Sequence, residues 1–318
     1  MRGGEASPLG LTGTRQARTL PNVKTEQLHN ETALNPAMPL SPGRVALGIF
    51  VLAAALSTSV IAQATNEQVG PAAQEPRDLS FEDAVNHGVA AFKNARYEAA
   101  VQHFKTAVAL DPTSAKAHLY LGTAYGFEVV PNLDTPDNLA TANNAIAALR
   151  QVPEGDPGYL SALKQIASLY RNTKRLDEAK ETELEVLKLN PTDAESHYAV
   201  GVIDWMQAYK SAVQILARAD LKDDGIGNQK LDLSACLELS AQNSNLVQDG
   251  IEHLTRAIEL KPDYEDAMQY LNLTYRCRAD FACGDDRKRA DDLAQADQWS
   301  RKALEVRRQR ELLQSAPK

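Results

Sequence analysis

Apolar and small side chains recur along this chain at the three- and four-residue spacing that is typical of amphipathic helices. Residues 81–114 show the pattern most clearly, because it predicts two helices there with a turn between them. The same residue types return after a fixed interval: Gly88 and Gly122 are 34 residues apart, and so are Pro157 and Pro191. A period of about 34 residues is typical of a repeated helix–turn–helix unit. The sequence therefore predicts an all-α chain built from stacked helix pairs.

The first of these units resembles the tetratricopeptide repeat (TPR) family. The residues that fit the family pattern of small, aromatic and closing positions are Gly88, Ala100, Phe104, Ala107 and Pro112. Further copies follow in the same register. The resemblance implies a right-handed α-solenoid of about five helix–turn–helix repeats with helical insertions, in which each pair buries its apolar stripe against the next. The repeats are expected near 81–114, 115–159, 160–193, 194–264 and 265–305.

The second, fourth and fifth repeats are longer than the period, and the register places their extra residues between the two helices of the repeat. The longest insertion spans about 207–244. Residues 212–219 predict that the first helix runs on, 221–230 predict a turn at Asp-Gly and Gly-Asn, and 233–242 predict another helix. Insertions on one face of a solenoid often mark its working surface. We therefore expect an ordered, functional edge.

An unbroken apolar run at 45–56 precedes the repeats and follows Arg44. Small residues at Ala62 and Ala64 then form the A-x-A pattern that a signal peptidase recognises. Together these features predict a secretory signal peptide at 38–64 that is cleaved after Ala64. The mature protein would then be exported to the periplasm or secreted, with a bacterial envelope as the best fit.

The remaining organisation follows from that prediction. Residues 1–37 are expected to be a disordered extension or an error in the assigned start, and 65–79 a flexible leader. The solenoid is expected at 80–305, followed by a C-terminal tail at 306–318. In a second interpretation residues 45–62 stay uncleaved and anchor the protein in a membrane. With cleavage, no membrane contact is expected.

Composition narrows the function classes. With 43% hydrophobic and 24% charged residues the chain can bury a core, and its net charge of −8 argues against a nucleic-acid-binding surface. No metalloprotease, nucleophile-elbow, Walker or dinucleotide-binding motif occurs in the sequence. We therefore expect neither catalytic, cofactor-binding nor metal-binding residues, and no enzyme activity.

The family resemblance also implies a binding site. In TPR proteins a concave groove lined by the first helices binds peptides, and matching positions here are apolar, aromatic or basic. The predicted groove residues are Phe92, Lys164, Arg171, Tyr198, Trp205 and Arg276. Such a groove suits an extended peptide or a helix with some acidic character. In the alternative, Phe92, Tyr198 and Trp205 pack on neighbouring helices or on the long insertion.

Three cysteines in an exported chain permit at most one internal disulfide. If adjacent repeats place their insertions side by side, Cys236–Cys283 would join the insertions of the fourth and fifth repeats. Cys277–Cys283 is the local alternative, and a chain without a bridge is the third.

The sequence thus predicts a non-enzymatic protein-interaction scaffold of the cell envelope. Its partner is a protein or peptide of unknown identity, bound in the groove or on the insertion-bearing edge. The alternatives are a membrane-anchored envelope assembly factor and an enzyme with an unrecognised site between the long insertion and the groove. The oligomeric state is left open.

Overall fold

The computed structural model describes residues 79–315. Within that range the chain forms ten α-helices, and no strand occurs among those residues. The helices are α1 (Phe81–Lys93), α2 (Tyr97–Leu110), α3 (Ala115–Glu128), α4 (Pro136–Leu149), α5 (Tyr159–Asn172), α6 (Leu176–Leu189), α7 (Ala194–Arg218), α8 (Leu233–Leu260), α9 (Glu265–Ala279) and α10 (Asp286–Ser315). A short 3-10 turn, Asp280–Ala282, follows α9.

Consecutive helices pair as α1–α2, α3–α4, α5–α6, α7–α8 and α9–α10, and each pair packs against the next. Such stacking gives every apolar stripe a neighbour, so that one continuous core runs through the array. The predicted all-α solenoid of helix pairs is confirmed. None of the helices in the described range is both long and apolar enough to cross a bilayer.

Side-chain caps fix where several helices begin. Ser80, Ser114, Thr135, Asp193 and Asp232 each accept a hydrogen bond from a backbone N–H in the first turn of the helix that follows. These bonds satisfy donors that a helix start leaves without partners. The caps therefore fix the starts of α1, α3, α4, α7 and α8.

In the pairs α3–α4 and α7–α8 the two helices approach closely at a glycine. A Cβ atom added to Gly122 in α3 would lie 2.5 Å from Leu149 Cγ and 2.9 Å from the Ala145 carbonyl oxygen in α4. Gly201 in α7 meets Leu254 of α8 in the same way, at 2.5 Å. Only a residue without a side chain fits at this separation, which explains why glycine recurs with the repeat.

The second repeat differs in detail from its prediction. The apolar spacing of Ala145, Leu149 and Val152 predicts a second helix that includes all three residues. The observed helix, α4, starts at Pro136 and stops at Leu149, so Val152 lies in the connection to α5. Pro153 explains the early end, because the residue before a proline is disfavoured in the α conformation. Val152 is nevertheless buried and still belongs to the core.

The long insertion is a hairpin made by lengthening both helices of the fourth repeat. As predicted, α7 continues to Arg218, and a loop precedes Leu233. The helix expected at 233–242 is not separate, however, because α8 runs without a break from Leu233 to Leu260. No proline interrupts this stretch, and its one glycine, Gly250, lies at the close approach to α7.

The boundary expected at 305–306 does not appear, since α10 continues through it to Ser315. Arg307 Nε and Arg310 Nη1 donate to the two carboxylate oxygens of the buried Glu265, at 2.6 and 2.9 Å. These ion pairs tie the supposed tail to α9, so residues 306–315 are part of the last repeat. The predicted extension at 1–37, the signal peptide at 38–64 with Ala62 and Ala64, and residues 65–78 of the leader lie outside the described residues.

Candidate functional site

The basic residues of the predicted groove are held by carboxylates of the same chain. Lys164 Nζ donates to Asp193 Oδ2 at 2.8 Å and to Glu195 Oε2 at 3.4 Å. Burial alone would lower the pKa of Lys164, but Asp193 and Glu195 outweigh it and raise that pKa. Burial likewise opposes the ionised form of Asp193, yet Lys164 and the Ser196 amide lower its pKa. This ion pair is therefore firmly charged and occupied internally.

Two further basic residues are engaged in the same manner. Arg171 Nη1 lies 3.3 Å from Oε1 of Glu183, a carboxylate whose pKa is raised by burial despite that contact. Arg276 donates to the Gly225 carbonyl oxygen at 2.8 Å and to Asp297 Oδ1 at 2.7 Å. Both guanidiniums therefore make contacts within the chain, Arg171 between α5 and α6 and Arg276 from α9 to α10 and to the insertion loop.

Tyr198 and Trp205, the aromatic groove residues predicted in the fourth repeat, pack mainly on other aromatic rings. Trp205 is 6% exposed and lies 5.2 Å, centroid to centroid, from both Tyr209 and Tyr270. Tyr198 contacts Tyr264 at 4.8 Å. Rings at these separations stabilise the junction of the fourth and fifth repeats. For Trp205 and Tyr198 this is the packing role that the sequence analysis left as the alternative.

Phe92 belongs to a different cluster, at the turns between first and second helices of repeats one and two. It makes an edge contact with Phe127 at 4.9 Å and with Tyr97 at 5.3 Å. Phe127 is 50% exposed, and Val130 and Leu133 beyond it are 52% and 40% exposed. We name these five residues, Phe92, Tyr97, Phe127, Val130 and Leu133, the edge patch.

A buried asparagine fixes the loop that carries Val130 and Leu133 of the edge patch. Asn138 Oδ1 accepts from the Val130 amide at 2.8 Å, and its Nδ2 donates to the carbonyl oxygens of Val130 and Leu133 at 3.0 and 2.7 Å. The Asn132 amide donates to the carbonyl of Asn172 in α5 at 2.9 Å. Because its backbone is bonded in this way, the loop presents its apolar side chains to solvent in one arrangement.

Sequence reasoning missed Phe127, Val130 and Leu133. It placed an insertion between the helices of the second repeat but attached no role to its composition. The available signal was FEVVPNL at 127–133, an apolar-rich stretch where a surface turn is ordinarily polar. Three exposed apolar residues at the end of a helix and in the loop after it are unusual enough to mark a contact site.

The structure joins Cys236 of α8 to Cys283, just after the 3-10 turn, in a disulfide with Cα atoms 5.5 Å apart. The local Cys277–Cys283 pairing is not adopted, and Cys277 is a buried free thiol. Asn228 of the insertion loop donates to Asp280 Oδ1 at 3.0 Å beside the disulfide. The long insertion is thus fastened to the fifth repeat both covalently and by hydrogen bonds.

Comparison with known sequences then decides the family. Residues 88–126 match the TPR repeat pattern, and residues 161–193 match the tetratricopeptide repeat pattern. The chain is a TPR protein. No curated protein matches its sequence significantly.

Solved structures similar to this TPR protein include MamA, at 16% identity and a TM-score of 0.49, covering 75% of this chain and 97% of MamA. Another is residues 41 to the end of MamA from Desulfovibrio magneticus RS-1, at 15% identity and a TM-score of 0.47, with 72% and 96% covered. A third is YrrB, described as a TPR protein with an unusual peptide-binding site, at 13% identity and a TM-score of 0.44, with 71% and 91% covered.

TPR proteins are generally non-catalytic scaffolds for other proteins. Among the described residues no three His, Cys, Asp or Glu side chains converge as metal ligands. What the described surface does provide is a rigid loop with exposed apolar side chains, the type of feature on which interface hot spots are built.

Proposed function

We propose that this TPR protein is a non-enzymatic interaction scaffold that binds an apolar segment of a partner protein on the edge patch. The observation that carries the proposal is the contrast between two surfaces. The basic groove residues are paired with the chain's own carboxylates, and Trp205 is buried. In contrast, Phe127 at the end of α3 and Val130 on the fixed loop after it are half exposed.

The rigidity of that loop favours binding. A partner that docks on a pre-ordered surface does not have to order the loop, so less of the interaction free energy is lost. Phe127 and Val130 lose water on contact, at about 25 cal/mol for each Å² of apolar surface. The partner chemistry that fits is a segment with apolar or aromatic anchor residues, in place of the acidic peptide expected from the groove.

We further propose that the protein acts outside the cytoplasm, in the cell envelope. The apolar run at 45–56 and the A-x-A pattern at Ala62 and Ala64 support export. The Cys236–Cys283 bond supports it independently, because disulfides persist chiefly in oxidising compartments. The membrane-anchored alternative shares these features and differs only in whether cleavage occurs.

A crosslinking experiment tests the binding proposal. A photoreactive amino acid is placed at Leu133 in the full chain, and crosslinks formed in cells are compared with those of Phe127→Ser and Val130→Ser variants. The control is Leu237→Ser, which removes a 55% exposed leucine from the long insertion. We expect each edge-patch substitution to lower the yield of the partner crosslink by about tenfold, the effect of losing roughly 1–3 kcal/mol at a hot spot.

Equal yields in the edge-patch variants and the control would overturn the proposal. Mass spectrometry of the same purified chain addresses export separately. A mature N-terminus at Thr65 is expected, whereas a membrane fraction that retains residues 45–62 would establish the anchored form instead.

A further inference from the structure

Two histidines face each other within the fourth repeat, away from the edge patch. His197 lies in α7 and His253 in α8, with their Nδ1 atoms 2.9 Å apart. The ring centroids are separated by 5.1 Å. At this distance one nitrogen donates to the other, so the two imidazoles share a single proton between them.

The other ring nitrogen of His197 has a fixed role. His197 Nε2 lies 3.1 Å from the Pro191 carbonyl oxygen. A carbonyl oxygen only accepts, so Nε2 carries the proton, and the Nδ1 of a neutral His197 presents a lone pair towards His253. Histidines that bind metals characteristically donate their second ring N–H to a carbonyl or carboxylate, which sets the tautomer and the ring orientation.

The second repeat provides an internal comparison. His118 occupies the position that His197 occupies in the fourth repeat, and its Nε2 lies 2.9 Å from the Pro112 carbonyl oxygen. Ala148 stands there in place of His253, and the buried Nδ1 of His118 has no partner in the described part of the chain. The contact with the proline carbonyl is therefore common to the second and fourth repeats, whereas of these two only the fourth repeat has the second imidazole.

A surface cavity of about 530 Å³ opens beside the pair. It is lined by Glu181, Leu184, Leu187, Lys188, Pro191, His197 and His253. The cavity therefore brings solvent to the side chains of both histidines. The charges near His253 are mixed, with Asp249 and Glu252 opposing Lys180, so the local charge does not by itself repel a cation.

We propose that His197 and His253 together bind one divalent transition-metal ion, for which copper(II) is the best match. Two nitrogens bound to one ion at about 2.0–2.1 Å stand about 2.9–3.4 Å apart, which includes the present separation of the two Nδ1 atoms. The Nδ1 atoms now point at each other, so the rings turn by roughly 35–45° to bring both lone pairs onto one ion. His253 moves its proton to Nε2, and both neutral imidazoles then offer their Nδ1 lone pairs to the ion. Water completes the coordination, because no third protein ligand converges among residues 79–315.

Copper(II) is preferred because it binds a given nitrogen site more tightly than the other divalent first-row metals. Zinc is disfavoured, since its structural sites require four protein ligands and its catalytic sites three. The inference goes beyond the proposed function, because the pair lies in α7 and α8 whereas the edge patch lies in the first two repeats. Either can fail without the other.

Titration of the purified full chain with copper(II) chloride tests the site, with electron paramagnetic resonance to count the bound nitrogens. We expect one equivalent with a two-nitrogen signature, and a loss of affinity of about tenfold or more in His197→Gln and in His253→Gln. A thermal melt supplies a second measurement, because an ion that binds only the folded state raises Tm in the parent and not in these variants.

Two matched controls locate the ion. His118→Gln removes the equivalent of His197, and His103→Gln removes the equivalent of His253 from the first repeat, where His103 lies beside His87. Both should bind copper like the parent. Unchanged copper binding in the His197 and His253 variants would overturn the proposal, because it would show that the pair forms a hydrogen bond but does not bind the ion. A loss of binding in His103→Gln instead would place the ion in the first repeat, and it too would overturn the proposal.

Discussion

At the residue scale the most unusual group is the carboxyl of Asp204, which is completely buried between α6, α7 and α8. Lys180 Nζ donates to its Oδ1 at 2.5 Å, while Oδ2 has no hydrogen-bond partner in the described chain. Burial raises the pKa of Asp204 to about 6, and Lys180 offsets only part of that rise. The folded protein therefore binds this proton more tightly than the unfolded chain does.

The sign of the resulting pH dependence follows by linkage. Above pH 6 the ionised Asp204 destabilises the fold, and the penalty is relieved as the pH falls from about 6 towards its ordinary pKa of 3.8. We expect Asp204→Asn to remove this term. The free energy of unfolding of the variant, relative to that of the parent, should be about 2 kcal/mol higher at pH 7.5 than at pH 4.5, so that the variant gains stability as the pH rises.

Urea unfolding at the two pH values measures that difference. Asp249→Asn is the control, because it removes a half-exposed carboxylate 3.7 Å from the same Lys180. A difference between Asp204→Asn and parent that is the same at both pH values would show that Asp204 is ionised at both.

Cys277 makes a second prediction at this scale. The thiol is buried, and burial raises its pKa well above the ordinary value, so it is neither accessible nor a thiolate. We expect iodoacetamide to label no cysteine in the native protein, one after unfolding without reduction, and three after unfolding with reduction. Labelling is counted by intact mass. Rapid labelling of the native chain would mean that the end of α9 opens to solvent.

At the scale of elements, single glycines allow the close approach of the paired helices α3–α4 and α7–α8. Gly122→Ala should destabilise the fold by about 1–3 kcal/mol, because the new methyl group would overlap both Leu149 and the Ala145 carbonyl. Gly126, four residues further along α3, is the control, since its nearest neighbouring atom is 3.8 Å from an added Cβ. Gly126→Ala should stabilise the helix by up to about 1 kcal/mol. Thermal unfolding compares the two, and equal Tm values would refute the close approach.

The helices could be predicted because their signals are local. Caps such as Ser114, prolines such as Pro136, and glycines at close approaches lie within a few residues of what they determine. Two helices differ from their predicted bounds, and each difference has a local cause to which the prediction gave less weight than to the periodic pattern. Pro153 shortened α4, and the uninterrupted stretch after Leu233 joined a supposed extra helix to α8.

The candidate site was harder to predict because its determinants are distant in the chain. Lys164 appeared to be a free basic residue, but its partners Asp193 and Glu195 lie on the next helix pair. Arg276 is engaged by a loop that precedes it by 51 residues. The position of a residue within a repeat indicates which way its side chain points. It does not show which charged residue of the neighbouring repeat lies next to that side chain.

At the scale of the whole molecule, the disulfide adds a contact that the repeat does not supply. The bond closes a loop of 47 residues between Cys236 and Cys283, and restricting the unfolded chain to that extent contributes about 3–4 kcal/mol. We expect a Cys236→Ser, Cys283→Ser double variant to lose stability of this order. The urea midpoint of the parent in reducing buffer should equal that of the double variant in buffer without reductant. An unchanged midpoint in the double variant would contradict this estimate.

The same bond alters how the molecule responds to force. A chain stretched from its ends normally releases about 3.3–3.6 Å per residue as it unfolds. The residues between Cys236 and Cys283 lie inside a covalent ring, and this ring holds most of α8 and all of α9. Tension passes through the sulfur atoms instead, so about 160 Å of contour length stays hidden until a reductant opens the ring. An unfoldase that pulls on the chain would therefore have to translocate a disulfide-closed loop in the last two repeats, where more than one segment of the chain passes at once. The first three repeats would extend as a single strand.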